Sequence, residues 1–131
     1  MIVLDTHVLL WWVSDPEKLS KKAQQRINQE QKDGTILISS ISIWEIAMLV
    51  SKKKLALAMD TNRWIETIEA LPFVTFVPVD NTIAIKSVTL PGELHANPAD
   101  RIIIATAREK GIPLITCDEK IRNYSHVESV W

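Results

Sequence analysis

The sequence is short of several things, and each shortage closes off a class of protein. Its one cysteine, Cys117, excludes an intramolecular disulfide framework and any zinc site built from several thiolates. Three glycines in 131 residues leave no flexible linker, and no internal repeat or low-complexity tract is visible. Long hydrophobic runs are missing too. The longest, Val8 to Val13, is far too short to span a bilayer. The opening Met1-Ile2-Val3-Leu4-Asp5 has no basic lead and no small-residue cleavage site, so a secretory signal is not expected. Charge of one sign is absent as well: 15 basic against 16 acidic side chains give a net charge of −1. No global field therefore advertises a polyanionic partner, and any nucleic-acid contact must rest on a local patch. What is present is ordinary globular composition, 47% hydrophobic and 24% charged. The expectation is a single cytoplasmic domain over residues 1–131, long enough to bury roughly two-thirds of its unfolded surface.

Ile2 to Leu4 is a short apolar run ending at Asp5 and reads as a buried strand. Thr6 is placed to cap a helix through Val13, and Ser14-Asp15-Pro16 marks a turn. Ser20 caps a polar helix to about Gln31, and Thr35 to Ser39 is a second strand. Ser42 then opens a strongly apolar helix, Ile43 to about Lys53, of the kind buried in a core or an interface. A helix from Asp60 or Thr61 to Leu71 and a strand from Phe73 to Val79 follow. Next come a helix capped by Asp80, Thr82 to Leu90, and one entered through Asn97-Pro98 that ends at Gly111. Pro113 to Thr116 is a fourth strand, followed by a short helix and an extended piece from Val127 to Val130. Alternating strands and helices predict an α/β fold, a parallel sheet of four to five strands flanked by helices. In such folds the working crevice lies beyond the carboxyl ends of the strands.

Of the seven aspartates, Asp15, Asp33, Asp60 and Asp80 are explained by turn and cap chemistry. Asp5 and Asp118 follow apolar strands and project at the same edge of the sheet, where like charges repel unless a cation or protons intervene. Glu45 is the only charged side chain between Thr35 and Ser51. Ser42-x-x-Glu45 fits a capping box, which needs no function, but an isolated acid in apolar surroundings is costly to ionise unless something positive meets it. Asp100 sits in a first helical turn, where the macrodipole alone would welcome it. Taken together, the four acids lie where strand ends and helix starts meet. Carboxylates without a paired histidine ligand suit a hard cation, magnesium or manganese, one ion or two. His7, His95 and His126 show no ligand spacing.

Four blocks in register carry a family likeness: Val3-Leu4-Asp5-Thr6-His7-Val8-Leu9-Leu10-Trp11-Trp12, Ser42-Ile43-Trp44-Glu45-Ile46, Asn97 to Ala107, and Leu114-Ile115-Thr116-Cys117-Asp118. Together with the Leu90-Pro91 loop and Val130-Trp131, they resemble PIN-domain ribonucleases of the VapC toxin type over essentially the whole chain. The resemblance implies the PIN fold and a Mg2+- or Mn2+-dependent endoribonuclease of a toxin–antitoxin system. It implies a site of Asp5, Glu45, Asp100 and Asp118, with Thr116 and Thr6 as supporting hydroxyls. It also implies an RNA substrate, a small VapB-type antitoxin whose tail blocks the groove, and a homodimer. One departure is Asn97, where many relatives carry aspartate; asparagine caps a helix equally well. For the RNA phosphates, Arg101 beside Asp100 and Lys120 after Asp118 are the expected cations. An aspartyl phosphatase or a phosphoreceiver fits poorly, since Asp5-Thr6-His7 lacks an early second acid. The remaining alternative is a catalytically silent PIN-like module that binds RNA or protein.

Overall fold

The computed structural model describes all residues, 1–131. The first strand, β1 (Ile2–Leu4), leads directly into α1 (Thr6–Ser14), and a 3-10 turn at Pro16–Lys18 separates it from α2 (Lys21–Asp33). β2 (Ile36–Ser39) passes without a break into α3 (Ser40–Ser51), and α4 (Thr61–Glu69) leads to β3 (Val74–Val77). Then come α5 (Asn81–Val88), α6 (Pro98–Lys110), β4 (Leu114–Ile115), α7 (Glu119–Arg122) and β5 (Ser129–Val130). The five strands form one sheet in the order β3-β2-β1-β4-β5, every pairing parallel.

The period of two along the strands divides the core. Ile2, Leu4, Ile36, Ile38 and Ile115 face one side, joining Leu9 of α1, Ile27 of α2, Ile46 of α3 and Trp64 of α4. Val3, Leu37 and Leu114 face the other, against Ile83, Ile103, Ile104 and Ile121. Both faces of the sheet are covered, and that is why its strands read as unbroken apolar runs. Each of these fully buried side chains contributes about 1.5–3 kcal/mol of transfer free energy. No helix is long and apolar enough to cross a membrane.

Local signals place some boundaries well. Asn97 caps α6 through Oδ1, which accepts from the Asp100 amide at 2.8 Å. Gly111 ends the helix at φ 65°, a left-handed conformation that glycine adopts without strain. Others shift. The cap of α1 is Asp5, whose Oδ1 accepts from Thr6 N, and not Thr6. Helix α3 starts at Ser40 with Ser39 as its cap, three residues before the expected Ser42. Of the two expected settings, core or interface, the core does not bury it: only Ser42 and Ile46 are buried, and Trp44 is 56% exposed.

Candidate active site

Adjacent parallel strand ends bring the first two acids together. Leu4 pairs with Ile115 across β1 and β4, so Asp5 emerges beside Thr116. The Thr116 hydroxyl donates to Asp5 Oδ2 at 2.7 Å and accepts from the Asp118 amide at 3.1 Å. One buried hydroxyl therefore sets both Asp5 and the turn that carries Asp118. Both acids also serve as caps, Asp5 for α1 and Asp118 for α7 through the Lys120 amide at 2.8 Å. Capping leaves both side chains in the crevice.

Glu45 arrives from the other side. Because α3 begins at Ser40, Ser42 is not its cap, and the Ser42-x-x-Glu45 box does not form. Glu45 Oε1 instead accepts from the Thr6 hydroxyl at 2.6 Å, and the Ser42 hydroxyl lies 2.9 Å from that Thr6 oxygen. Thr6 and Ser42 are both buried, so this three-group link fixes α1 against α3 with no polar atom left unpartnered. Thr6 thus touches Glu45 directly. Ser42 is a functional neighbour that the sequence offered only as a cap.

Asp100 comes from the first turn of α6. A crevice of about 320 Å3 is lined by Asp5, Glu45, Asp100 and Asp118 together with Thr6, His7, Trp11, Asn97 and Cys117. Burial and then the charges of Asp5, Glu45 and Asp118 push the Asp100 carboxyl up to about 7, opposed only by Lys120. Burial likewise raises Asp5, although its bonds to Thr116 and to the Thr6 amide pull the other way. Cys117 is raised by burial and by Asp5, which keeps it a protonated thiol.

The cations divide. Lys120 acts on Asp100 in the crevice through its charge. Arg101 does not enter it. Its guanidinium donates to the backbone carbonyls of Ser87 (2.8 Å), Leu94 (3.0 Å) and Val88 (3.4 Å), tying the segment before α6 to that helix. The adjacency to Asp100 that suggested an RNA contact does not set its direction; these backbone carbonyls do.

No three carboxylate, imidazole or thiol groups close to a coordination shell in this arrangement. The donor chemistry nevertheless fits a hard divalent cation: four carboxylates and one hydroxyl, with no histidine pair or thiolate set. The Asp100 carboxylate has no hydrogen bond or ion pair from the protein, and three like charges already act on it.

Comparison with known proteins gives a consistent answer. The PIN domain family matches residues 2–127. The chain is 33% identical over 129 residues to "Ribonuclease VapC22" of Mycobacterium tuberculosis, covering 98% of this chain and 95% of that one. A toxin–antitoxin complex from Klebsiella pneumoniae matches with TM-score 0.66 at 25% identity, covering 97% of this chain and 95% of that one. The crystal structure of VapBC2 from Rickettsia felis bound to a promoter DNA fragment shares the fold, with TM-score 0.72 at 18% identity. It covers 98% of this chain and 97% of the other.

Proposed function

Because this chain belongs to the PIN-domain family, we propose that it is a VapC-type ribonuclease toxin, hydrolysing RNA phosphodiester bonds and neutralised by a cognate VapB-type antitoxin. The observation that carries this reading is the convergence of four carboxylates from separate elements on one crevice, with Asp100 pushed up to about 7 and in no ion pair. A silent binding module would have no use for that electrostatic cost.

Asp5, Asp100 and Asp118 are the residues that would hold Mg2+ or Mn2+, as one ion or two, with Glu45 facing them. The chemistry such an ion supplies is a water of lowered pKa and compensation of charge on the phosphoryl and leaving oxygens. The protein's own part is positioning. Thr116 immobilises Asp5 and the Asp118 turn, and Thr6 fixes one oxygen of Glu45 so that the other is free to orient the attacking water. Lys120 offsets part of the acidic field as a phosphate approaches.

The antitoxin reading rests on a second cavity. A groove of about 430 Å3 shares His7 and Trp11 with the crevice and is walled by Leu10, Leu49, Leu55 and Leu57. An apolar segment seated there covers the mouth of the acidic site. The exposed Trp44 of α3, with Ile85 and Val88 of α5, offers apolar surface that a second copy of the chain would cover.

The test is cleavage of RNA by the purified, antitoxin-free protein with magnesium or manganese. Cleavage should be abolished by EDTA and reduced about 100-fold or more by Asp100→Asn. A folded protein that cuts no RNA with either ion present overturns the reading.

A further inference from the structure

We infer that the polar groove between α2 and α7 is a track for the phosphates of the RNA strand next to the scissile bond, with Lys22, Arg26 and Arg122 as its contacts. The inference rests on the nuclease reading above and names where its substrate lies. The groove holds about 650 Å3, roughly twice the acidic crevice, and runs beside the edge strand β5.

Its charge departs from that of the chain. The whole sequence is balanced, whereas this groove holds Lys22, Arg26 and Arg122 against Glu119 alone. Lys22 and Arg122 are exposed and make no ion pair. Arg26 is half-buried and held at Nε by the buried Glu30 at 3.4 Å, which leaves the far end of the guanidinium free. Lys22 also stands where helix physics disfavours it. It lies in the first turn of α2, which has no acidic residue, and a cation there opposes the macrodipole. Fold stability gives no reason for it.

The groove is continuous with the active site by two routes. Arg122 sits on α7, whose cap is Asp118. Trp131, in the groove wall, lies 5.9 Å from the ring of Trp11, which lines the crevice. Lys120 at the crevice and Arg122 in the groove thus mark a path along α7. The lining also discriminates between occupants. Only Val130 and Trp131 are apolar, unlike the leucine-rich groove on the other side of Trp11, so an amphipathic protein helix finds little to bury. An extended peptide finds only two strand residues in β5 to pair with. A polyanion gains from every cation along the track.

The experiment measures fluorescence anisotropy of a labelled single-stranded RNA of ~12 nucleotides on the Asp100→Asn protein with magnesium in the buffer. Lys22→Glu and Arg122→Glu are introduced separately, with Lys110→Glu, at the far end of α6, as a charge-matched control. Each groove reversal should weaken binding about tenfold and lower the slope of log Kd against log salt by about 0.7. The control should change neither. In the cleaving protein the same reversals raise KM and leave kcat in place. Lys22→Glu suits the helix start, so a loss of binding is not a loss of α2. If RNA is bound and cut but both groove variants behave as the parent, the track is wrong and the nuclease reading stands. If the reversals spare RNA and release a co-expressed antitoxin, the groove belongs to a protein segment and the inference falls. If the parent neither binds nor cuts RNA, the nuclease reading itself has failed.

Discussion

Helices α3 and α6 each deliver one carboxylate to the crevice, and they are built on opposite plans. α6 mixes charge with apolar residues, yet Ala99 and the run from Ile103 to Ala107 are buried, and it packs on α5, α3 and β1. α3 has one charged residue in twelve and buries only Ser42 and Ile46. Apolar content therefore does not decide burial; position in the layers does. α6 lies across the sheet. α3 sits at the seam, with Ile41 against one core cluster and Ile43 against the other, and its outer face bears Trp44. Asp100 is consequently fixed by the core, whereas Glu45 follows a helix whose far side is open to a partner. Pressure on Trp44 reaches Glu45, the next residue, before it reaches any other acid.

The strongest way to break this comparison is in the core. Ile103→Ala in α6 and Ile46→Ala in α3, both fully buried, should each cost about 2–5 kcal/mol in urea unfolding. A large difference between them would mean that α3 is less anchored than its one buried stripe implies.

The pH dependence separates the two acids next. With its carboxyl raised from 3.8 to about 7, folded Asp100 binds a proton that the unfolded chain has already lost between those values. The contribution of Asp100 to the stability of the metal-free protein is then fully present below about 3.8 and is lost as pH rises towards 7, the sign opposite to that of the salt-bridged Glu30. Cation binding must displace that proton, so affinity should fall about tenfold per pH unit below 7. Asp100→Asn should flatten both profiles and raise Tm in EDTA at pH 8, by calorimetry. A Tm unmoved by this substitution would show that the charges do not repel as described.

Smaller again is the link between the helices. Thr6→Val keeps the shape but removes the hydroxyl held by Glu45, and cleavage should drop about tenfold while Thr6→Ser retains most activity. The mildest change is on the open face. Trp44→Ser should alter monomer stability by less than about 0.5 kcal/mol in urea, while shifting the sedimentation of any dimer that uses α3.

Where the sequence was legible, the signals were local. Asn97-Pro98 and Gly111 fixed both ends of α6, and Asp5 and Asp118 do follow strands while Asp100 opens a helix, but Glu45, expected in a first turn, lies in the second turn of α3. Three serines, Ser39, Ser40 and Ser42, compete to start α3, and the choice of Ser39 depends on its register with Val77 of β3. Sheet pairing is not written in any short window. Arg101 went the same way: its neighbour in sequence is an acid, but its partners are carbonyls from Ser87 to Leu94. The Thr6–Glu45 bond spans 39 positions and has no local signature at all.

The Thr116–Asp5 hydrogen bond joins residues 111 positions apart. Asp5 is made 111 positions before the hydroxyl that orients it, which follows β4. A chain still under synthesis therefore holds neither the Thr116 bond to Asp5 nor Asp118 until β4 has been made beside β1. For a nuclease born next to ribosomal and messenger RNA, that order of assembly delays danger until the whole domain is free.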